Sequence, residues 1–188
     1  VLYIATGGTD SVWGYNQPVT SDGRLTLASN LTIPGSARLQ FNHSFGFENG
    51  LTQNYDGGLV EYSQDGGSTW ASLTALHLAG ADYNGSILVQ DPPDNPLQGQ
   101  SAFVKDSFGY TASQYNLAGL AGQTDIRFRF RIGTDSLIDD YGWFIDDFRV
   151  YTCKTLVATN AASGIGTFDA TLNGMVNPDG APANGFFE

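Results

Sequence analysis

The stretch from residue 125 to residue 153, DIRFRFRIGTDSLIDDYGWFIDDFRVYTC, decides the predicted fold. Its first part alternates strictly, so that Phe128, Phe130 and Ile132 share one face and three arginines share the other. A period of two is typical of an antiparallel strand with one buried face. A polar, acidic loop follows, and then a second extended run from residue 142 to residue 151. The stretch therefore predicts two strands of an all-β protein.

The second run is largely apolar on both faces and contains the adjacent pair Asp146 and Asp147. Apolar side chains on both faces predict an inner strand of a sandwich. Because neighbouring residues of a strand point to opposite faces, one of the two carboxylates is predicted to point inward. A buried carboxylate without a partner is costly, so ion pairing, hydrogen bonding or metal binding is expected there.

The N-terminal half contains one equally clear strand, from residue 37 to residue 48. Its apolar face carries five alternating side chains: Leu39, Phe41, His43, Phe45 and Phe47. We expect His43 to be a hydrogen-bonded core residue, with a ligand or catalytic role as the alternative. Turn signals divide the rest into about eight to ten short strands without helical periodicity, which is typical of a jelly roll. The sequence predicts an all-β, two-sheet jelly-roll sandwich over residues 1–153.

Residues 154–188 differ in texture, because aromatic residues nearly vanish until Phe186. The run ATLNGMVNP at residues 170–178 predicts one strand that ends in a turn. About 35 residues are too few for an independent domain. We expect the opening strands of a partial second β-sandwich, completed by the first domain or by another chain.

Composition excludes several classes of function. The net charge is −11 with eight lysines and arginines, which excludes a surface for nucleic acid or anionic membranes. No segment approaches the roughly 20 apolar residues of a membrane span, so we expect no membrane insertion. The single cysteine, Cys153, cannot form an internal disulfide and is predicted to be a small buried hydrophobe.

Residues 63–70, SQDGGSTW, match the Asp-box pattern S-x-D-x-G-x-T-W. In such a box the aspartate accepts turn amides, the glycines supply positive φ, and the tryptophan packs under a hairpin. The box occurs once and the chain has no internal repeat, which excludes a propeller of repeated Asp-box blades. We interpret it as a structural hairpin.

Six acidic residues at strand ends or in loops are the candidate metal ligands: Glu48, Asp56, Asp139, Asp140, Asp146 and Asp147. Such positions can converge at one end of an antiparallel sandwich. Carboxylates without cysteine or paired histidine favour Ca²⁺, so calcium is the predicted cofactor. The alternatives are turn-capping or solvated carboxylates, and the acid/base pair of a glycosidase.

Other catalytic chemistries lack parts. The chain has two histidines, no H-E-x-x-H motif and no serine in a G-x-S-x-G elbow. The sequence therefore predicts a protein that is not itself an enzyme.

Several motifs in order carry a resemblance to a known family: FGFE at 45–48, YDGGLVEYS at 55–63, DGGSTW at 65–70, YNG at 83–85, NPL at 95–97, RFRFR at 127–131 and GWFIDDFRVY at 142–151. With them, the stretch from about Leu39 to Cys153 resembles the MAM-like jelly-roll domain of secreted bacterial metalloproteases of the immune-inhibitor-A and fungalysin types, and of surface proteins. The resemblance implies a two-sheet, concanavalin-like sandwich, an extracellular setting, often a bound calcium, and an accessory or adhesive role.

The tail resembles the opening of bacterial fibronectin-type-III-like repeats. Those repeats follow the pattern S-A-T-L-N-G-x-V-N-P with a later aromatic-Glu pair, which residues 170–178 and 187–188 match in part. This resemblance implies a longer multidomain surface protein.

Together these observations predict a non-catalytic extracellular or cell-surface module for adhesion, assembly or substrate docking within a larger protein. Its expected partners are other domains or subunits of that assembly, or a glycan. One alternative is a carbohydrate-binding module that stacks sugars on five aromatic residues: Trp13, Tyr15, Tyr83, Tyr110 and Tyr115. The other is a filament subunit completed by strand exchange. Three sequons, at Asn30, Asn42 and Asn84, matter only if the source glycosylates secreted proteins.

Overall fold

The structure is a computed structural model that describes residues 5–48, 50, 52–152 and 156–177. The predictions that concern Cys153 and the aromatic-Glu pair at residues 187–188 lie outside the described residues. Among the described residues the only helical segments are two short 3₁₀ turns, Leu73–Leu76 and Ala118–Leu120. None of the helices found there is long and apolar enough to span a membrane. The all-β prediction is confirmed.

The chain divides into two compact units, residues 1–150 and residues 151–188. Thirteen strands are described, numbered in chain order: β1 Val12–Asn16, β2 Ser21–Thr26, β3 Ala37–Gly46, β4 Gly57–Ser63, β5 Ala71–Ser72, β6 His77–Gly80, β7 Gly85–Ser86, β8 Ser101–Ala102, β9 Thr111–Asn116, β10 Arg127–Thr134, β11 Asp140–Thr152, β12 Leu156–Ser163 and β13 Thr171–Asn177.

The first unit is built on two main sheets that pack as a sandwich. A five-stranded sheet has the order β1-β11-β3-β9-β6, and a four-stranded sheet has the order β2-β10-β4-β5. The strands β7 and β8 form a small separate pair. The strand β11 is an inner strand, as its two apolar faces predict, and β10 also has a neighbour on each side. The strands β1 and β2 are edges of their sheets.

Aromatic rings fill the core between the two sheets. Phe41 of β3 meets Phe130 of β10 edge to face, with ring centroids 5.0 Å apart. Trp143 of β11 is fully buried and meets Phe130 at 5.5 Å. Such offset or edge-to-face pairs add to the stabilisation from burial itself. The predicted inward face of β3 is confirmed, since Leu39 and Phe45 are buried as well.

His43 is the core histidine that the pattern predicts. Its Nδ1 accepts a hydrogen bond from the Trp143 indole at 3.1 Å, and its Nε2 lies 2.9 Å from the Ser113 hydroxyl. Ser113 in turn donates to the carbonyl of Ala81 at 2.7 Å. Burial lowers the pKa of His43 to about 3, so the ring is neutral and fully used in packing.

The arginines of β10 form ion pairs on the outer face of the four-stranded sheet. Arg129 bonds Glu61 at 2.5 Å, and Arg131 bonds Asp22 at 2.7 Å. Arg129 also lies over the ring of Trp70, 4.1 Å from its centroid. A guanidinium held between a carboxylate and an indole is geometrically restrained and partly desolvated.

The prediction that one carboxylate of the Asp146-Asp147 pair points into the core is wrong. Trp143 and Ile145 are buried, so odd-numbered residues face inward in the first part of β11. Further along, even-numbered residues face inward, and Phe148 is the next side chain to pack on the core. Asp147 has φ of 50°, a left-handed conformation that breaks the alternation. As a result Asp146 is only partly buried and Asp147 is exposed.

The Asp-box forms a structural hairpin, as predicted. Asp65 accepts hydrogen bonds from the amides of Ser68 and Thr69 at 2.9 and 2.8 Å. The Trp70 indole donates to the carbonyl of Gly67 at 3.0 Å. The box joins β4 to β5, and its Trp70 ring also contacts the guanidinium of Arg129.

The second unit, in its described part, is a single antiparallel hairpin of β12 and β13. The strand predicted at residues 170–178 is confirmed as β13 over residues 171–177, and the turn predicted to end it lies outside the described residues. Most described side chains of the two strands are exposed, including Val157 and Leu172, and Phe168 in the turn between them is 99% exposed. The partial second sandwich and its completion by another strand remain predictions.

Candidate metal centre

Three buried carboxylates converge at one end of the first unit, and we refer to them as the carboxylate cluster. Glu48 follows β3, Asp56 precedes β4, and Asp135 follows β10. One oxygen of each lies within 4.8 Å of the others. Glu48 is 8% exposed, and the two aspartates are fully buried.

Strand pairing explains why these residues meet. In the β4–β10 ladder Gly57 lies opposite Gly133, so the residue before β4 and the residue after β10 end at the same edge. The backbone amide of Asp135 donates to Asp56 Oδ1 at 2.7 Å, which fixes that approach. The strand β1 joins from the neighbouring sheet, because Asn16 Nδ2 donates to Asp56 Oδ2 at 2.9 Å.

Several polar atoms in the cluster lack a partner. Asp56 is well satisfied, but within the described part of the chain Glu48 Oε2, Asp135 Oδ2 and Asn16 Oδ1 are buried without a hydrogen bond. Buried polar atoms are nearly always satisfied, by protein, water or an ion. Two carboxylate oxygens and one amide oxygen therefore remain available to a ligand.

Among the described residues, no cationic side chain balances the charge of the cluster. None of the ion pairs formed among the described residues involves Glu48, Asp56 or Asp135. Burial raises the pKa of Glu48 to about 7, and the neighbouring charges of Asp135 and Asp56 add to that rise. Burial also raises the pKa of Asp56 to about 6, against the hydrogen bonds that it accepts. Without a cation, the folded protein opposes full ionisation of the cluster.

The donor chemistry fits calcium. All available atoms are hard oxygens, from two carboxylates and one amide, with no sulfur or imidazole among them. Ca²⁺ accepts six to eight such oxygens in irregular cages, whereas Zn²⁺ prefers nitrogen and sulfur. Mg²⁺ demands near-octahedral geometry and keeps most of its water. The ion would be held by the unpartnered oxygens of Glu48, Asp135 and Asn16, together with Asp56.

The structure brings together only two of the six sequence-predicted ligands, Glu48 and Asp56. Asp139 is exposed and accepts the hydroxyl of Tyr15 at 2.6 Å. Asp140 accepts the backbone amide of Tyr141 at 2.7 Å. Neither belongs to the cluster that the described residues form.

Asp146 and Asp147 have a different structural role, because they bind residues near the start of the chain. Asp146 accepts the amides of Thr6 and Gly7 at 2.6 and 2.9 Å. Partial burial acts to raise the pKa of Asp146, but these amides outweigh it and hold the pKa below its ordinary value. Asp147 accepts the side-chain amide of Asn42 at 2.9 Å. The pair therefore fastens residues 6–7 to β11 and β3.

Sequence reasoning missed Asp135 and Asn16. Asp135 sits in the same acidic loop as Asp139 and Asp140, and nothing in the local pattern distinguishes it. The one usable signal is its position directly after β10, which becomes informative only once β10 is paired with β4. Asn16 required the further knowledge that residues 12–16 form a strand beside β11.

Comparisons of the chain with protein-family models, with curated proteins and with solved structures found no match. The resemblances to MAM-like and fibronectin-type-III-like domains therefore remain predictions.

Proposed function

We propose that this protein is a non-catalytic extracellular module, part of a larger secreted or cell-surface protein, whose sandwich is stabilised by calcium. The observation that carries the proposal is the carboxylate cluster: three buried acids without an ion-paired cation among the described residues, two of them with unpartnered oxygens. A group of this kind is costly unless a cation neutralises it.

The position of the cluster suggests what calcium contributes. The ligands come from the ends of β3 and β10, the start of β4 and, through Asn16, the edge strand β1. An ion held there ties both sheets together at one end of the sandwich. Affinities of roughly 10⁻⁴ to 10⁻³ M are typical of extracellular calcium modules, so such a site suits a calcium-rich exterior.

The burial of the cluster favours a structural role over catalysis. A glycosidase acid and base must both reach the substrate, with carboxyl groups about 5–9.5 Å apart in an open cleft. Asp56 and Asp135 are fully buried instead. Adhesion, assembly or docking is therefore the role that we propose, in partnership with other domains or with a glycan.

Thermal unfolding tests the calcium proposal directly. A ligand at 100 times its Kd stabilises the native state by about 2.7 kcal/mol. For a protein of this size that corresponds to roughly 5–10 °C in Tm. We expect Tm to rise by that amount between excess EDTA and saturating CaCl₂, and Glu48→Gln to lose the rise. Equal Tm values for the wild type in both buffers would overturn the proposal.

A further inference from the structure

The edge strand β1 presents two aromatic side chains to solvent, and we refer to them as the aromatic platform. Trp13 is 54% exposed and Tyr15 is 41% exposed, although rings of this size are usually largely buried. Their ring centroids lie 5.5 Å apart with an interplanar angle of 42°. The neighbours Gly14 and Asn16 face the opposite way, so the two rings share one face of the strand.

Both rings are fixed in place through their polar ends. The Trp13 indole donates to the carbonyl of Tyr141 at 2.7 Å, and the Tyr15 hydroxyl donates to Asp139 Oδ2 at 2.6 Å. Trp13 also stacks on Phe144, its partner across the β1–β11 pair, at 5.9 Å and 16°. Because the rings are already ordered, a ligand that stacks on them loses little side-chain entropy on binding.

The surroundings of the rings define the ligand chemistry. The exposed carboxylate of Asp139 lies beside the Tyr15 ring and can accept further hydrogen bonds. A sugar combines an apolar C–H face for stacking with neighbouring hydroxyl donors for a carboxylate. The net charge of −11 opposes nucleic acids and acidic glycans. A protein partner is less favoured, because carboxylates are depleted from the centres of protein interfaces.

We propose that Trp13, Tyr15 and Asp139 form a binding site for neutral saccharides. The two rings stack on pyranose faces, and the Asp139 carboxylate accepts hydroxyl hydrogens. This inference rests on the proposed docking role and names its ligand class, but its residues lie outside the carboxylate cluster.

Two of the other aromatic residues that the sequence offered as sugar platforms are used inside the protein. The Tyr83 hydroxyl donates to the carbonyl of Val60 at 2.8 Å and accepts its amide at 2.7 Å. Tyr115 is fully buried in the core. Tyr110 is partly buried, so the two exposed rings of β1 carry the platform.

Affinity electrophoresis tests the site with defined probes. Gels contain a neutral polysaccharide (xyloglucan, mixed-linkage β-glucan or galactomannan), cationic chitosan or anionic alginate. We expect at least one neutral polymer to retard the protein, and Trp13→Ala and Tyr15→Ala each to weaken that binding about tenfold, equivalent to about 1.4 kcal/mol. Tyr15→Phe keeps the ring and should bind within roughly threefold of the wild type. Phe168→Ala removes a still more exposed ring, from the C-terminal hairpin, and should change nothing.

The inference is overturned if no neutral polymer retards the protein, if only chitosan or alginate does, or if Trp13→Ala and Tyr15→Ala both bind as well as the wild type. Should Trp13→Ala fail to fold, Tyr15→Ala and Asp139→Asn decide the outcome. The calcium-dependent shift in Tm is measured on the same samples. A protein that responds to calcium but binds no neutral glycan refutes only the saccharide site, and the opposite pattern refutes only the calcium proposal.

Discussion

Asp22 and Glu61 lie beside three arginines on the outer face of the four-stranded sheet, whereas the carboxylate cluster lies beside none that the described residues supply. Partial burial acts to raise the pKa of Asp22, but hydrogen bonds from Arg131 and Arg24 bring it well below its ordinary value. Burial raises the pKa of Glu48 to about 7, and two neighbouring carboxylates raise it further. The same side-chain chemistry thus has opposite ionisation behaviour in two parts of one domain.

The difference shows which charges the protein neutralises by itself. On the sheet face, alternation places arginines and acids on adjacent strands, and each carboxylate finds a guanidinium. At the end of the sandwich the strands deliver only acids and an amide. A charge that the chain buries without balancing it is best explained by a cation from outside.

We refer to the ion pairs of Asp22 and Glu61 with the arginines of the sheet face as the balanced region, and the largest effect should come from breaking it. Arg129→Ala leaves Glu61 without its closest partner and removes the contact with Trp70. Removing one member of a buried ion pair costs roughly 3–5 kcal/mol, so we expect a loss near the lower end of that range for this partly exposed pair. Urea unfolding at pH 7 measures the change, and the loss should be the same with calcium as with EDTA. A loss below about 1 kcal/mol would mean that the pair behaves as an ordinary surface ion pair.

A matched pair of substitutions sharpens the comparison. Glu61→Gln and Glu48→Gln remove the same charge, one from the balanced region and one from the carboxylate cluster. In EDTA we expect Glu61→Gln to destabilise the protein by roughly 1–3 kcal/mol, because Arg129 loses its charged partner. Glu48→Gln should leave the protein as stable as the wild type or more stable, since it relieves repulsion.

Calcium should reverse the order of the same two variants, so that Glu61→Gln is stabilised by calcium more than Glu48→Gln is. Glu61→Gln keeps the full stabilisation by saturating calcium, about 2.7 kcal/mol at 100 times the Kd, and Glu48→Gln loses most of it. The free energy of unfolding from urea titrations in both buffers gives both quantities. Equal calcium responses in the two variants would show that the ion binds elsewhere.

The pH dependence of stability should differ in sign between the two regions. In EDTA, Glu48 in the folded protein holds its proton up to about pH 7, whereas in the unfolded chain it releases it near 4.5. Between these pH values the native state binds more protons than the unfolded state, so the free energy of unfolding should rise as pH falls from 8 towards 5. The rise is at most about 1.4 kcal/mol per pH unit for each titrating group. The pKa of Asp22 is lowered instead, so its contribution is present above its unfolded pKa and is lost as pH falls below about 4.

Urea titrations between pH 3 and pH 8 separate the two contributions. Glu48→Gln should flatten the limb between pH 6 and pH 8, while Asp56 still contributes below about pH 6, and Asp22→Asn should flatten the limb below about pH 4. Saturating calcium should also remove the upper limb in the wild type, because protons and metal compete for the same carboxylates. A wild-type stability in EDTA that increases from pH 5 to pH 8 would contradict the assignment.

How far the sequence predicts this molecule depends on whether a feature is local. The alternating faces of β3 and β10 are set by residues that are neighbours in the chain, and their buried rings appear as predicted. The edge strand β1 was not predicted, because Gly14 and Asn16 face inward while large aromatics face solvent. The prediction that Asp146 or Asp147 points inward was wrong, because the left-handed backbone of Asp147 interrupts the alternation of faces along β11.

The carboxylate cluster shows the same limit for the site. Glu48 and Asp56 were identified because they end or precede strong strands. Asp135 was not, because its closeness to Asp56 is created by the pairing of β4 with β10 across 78 intervening residues. An acidic loop in a sequence thus predicts that some of its carboxylates lie near a metal site. Which carboxylate is a ligand depends on the register of the paired strands.

The smallest expected effect is a difference in Tm between two variants. One variant removes a calcium ligand that only the fold reveals, and the other removes a ligand that was predicted from the sequence. Asp135→Asn and Asp140→Asn remove equal charges five positions apart, at the start of the β10–β11 loop and at the first residue of β11. We expect Asp135→Asn to lose most of the calcium-dependent rise in Tm. Asp140→Asn should keep it to within roughly 1–2 °C, because the Asp140 carboxylate accepts the Tyr141 amide and an asparagine oxygen can do the same. Differential scanning fluorimetry over a calcium titration measures both midpoints, with Tm in EDTA as the control for folding. A calcium response that is lost in Asp140→Asn and kept in Asp135→Asn would place the ion at the start of β11, away from the carboxylate cluster.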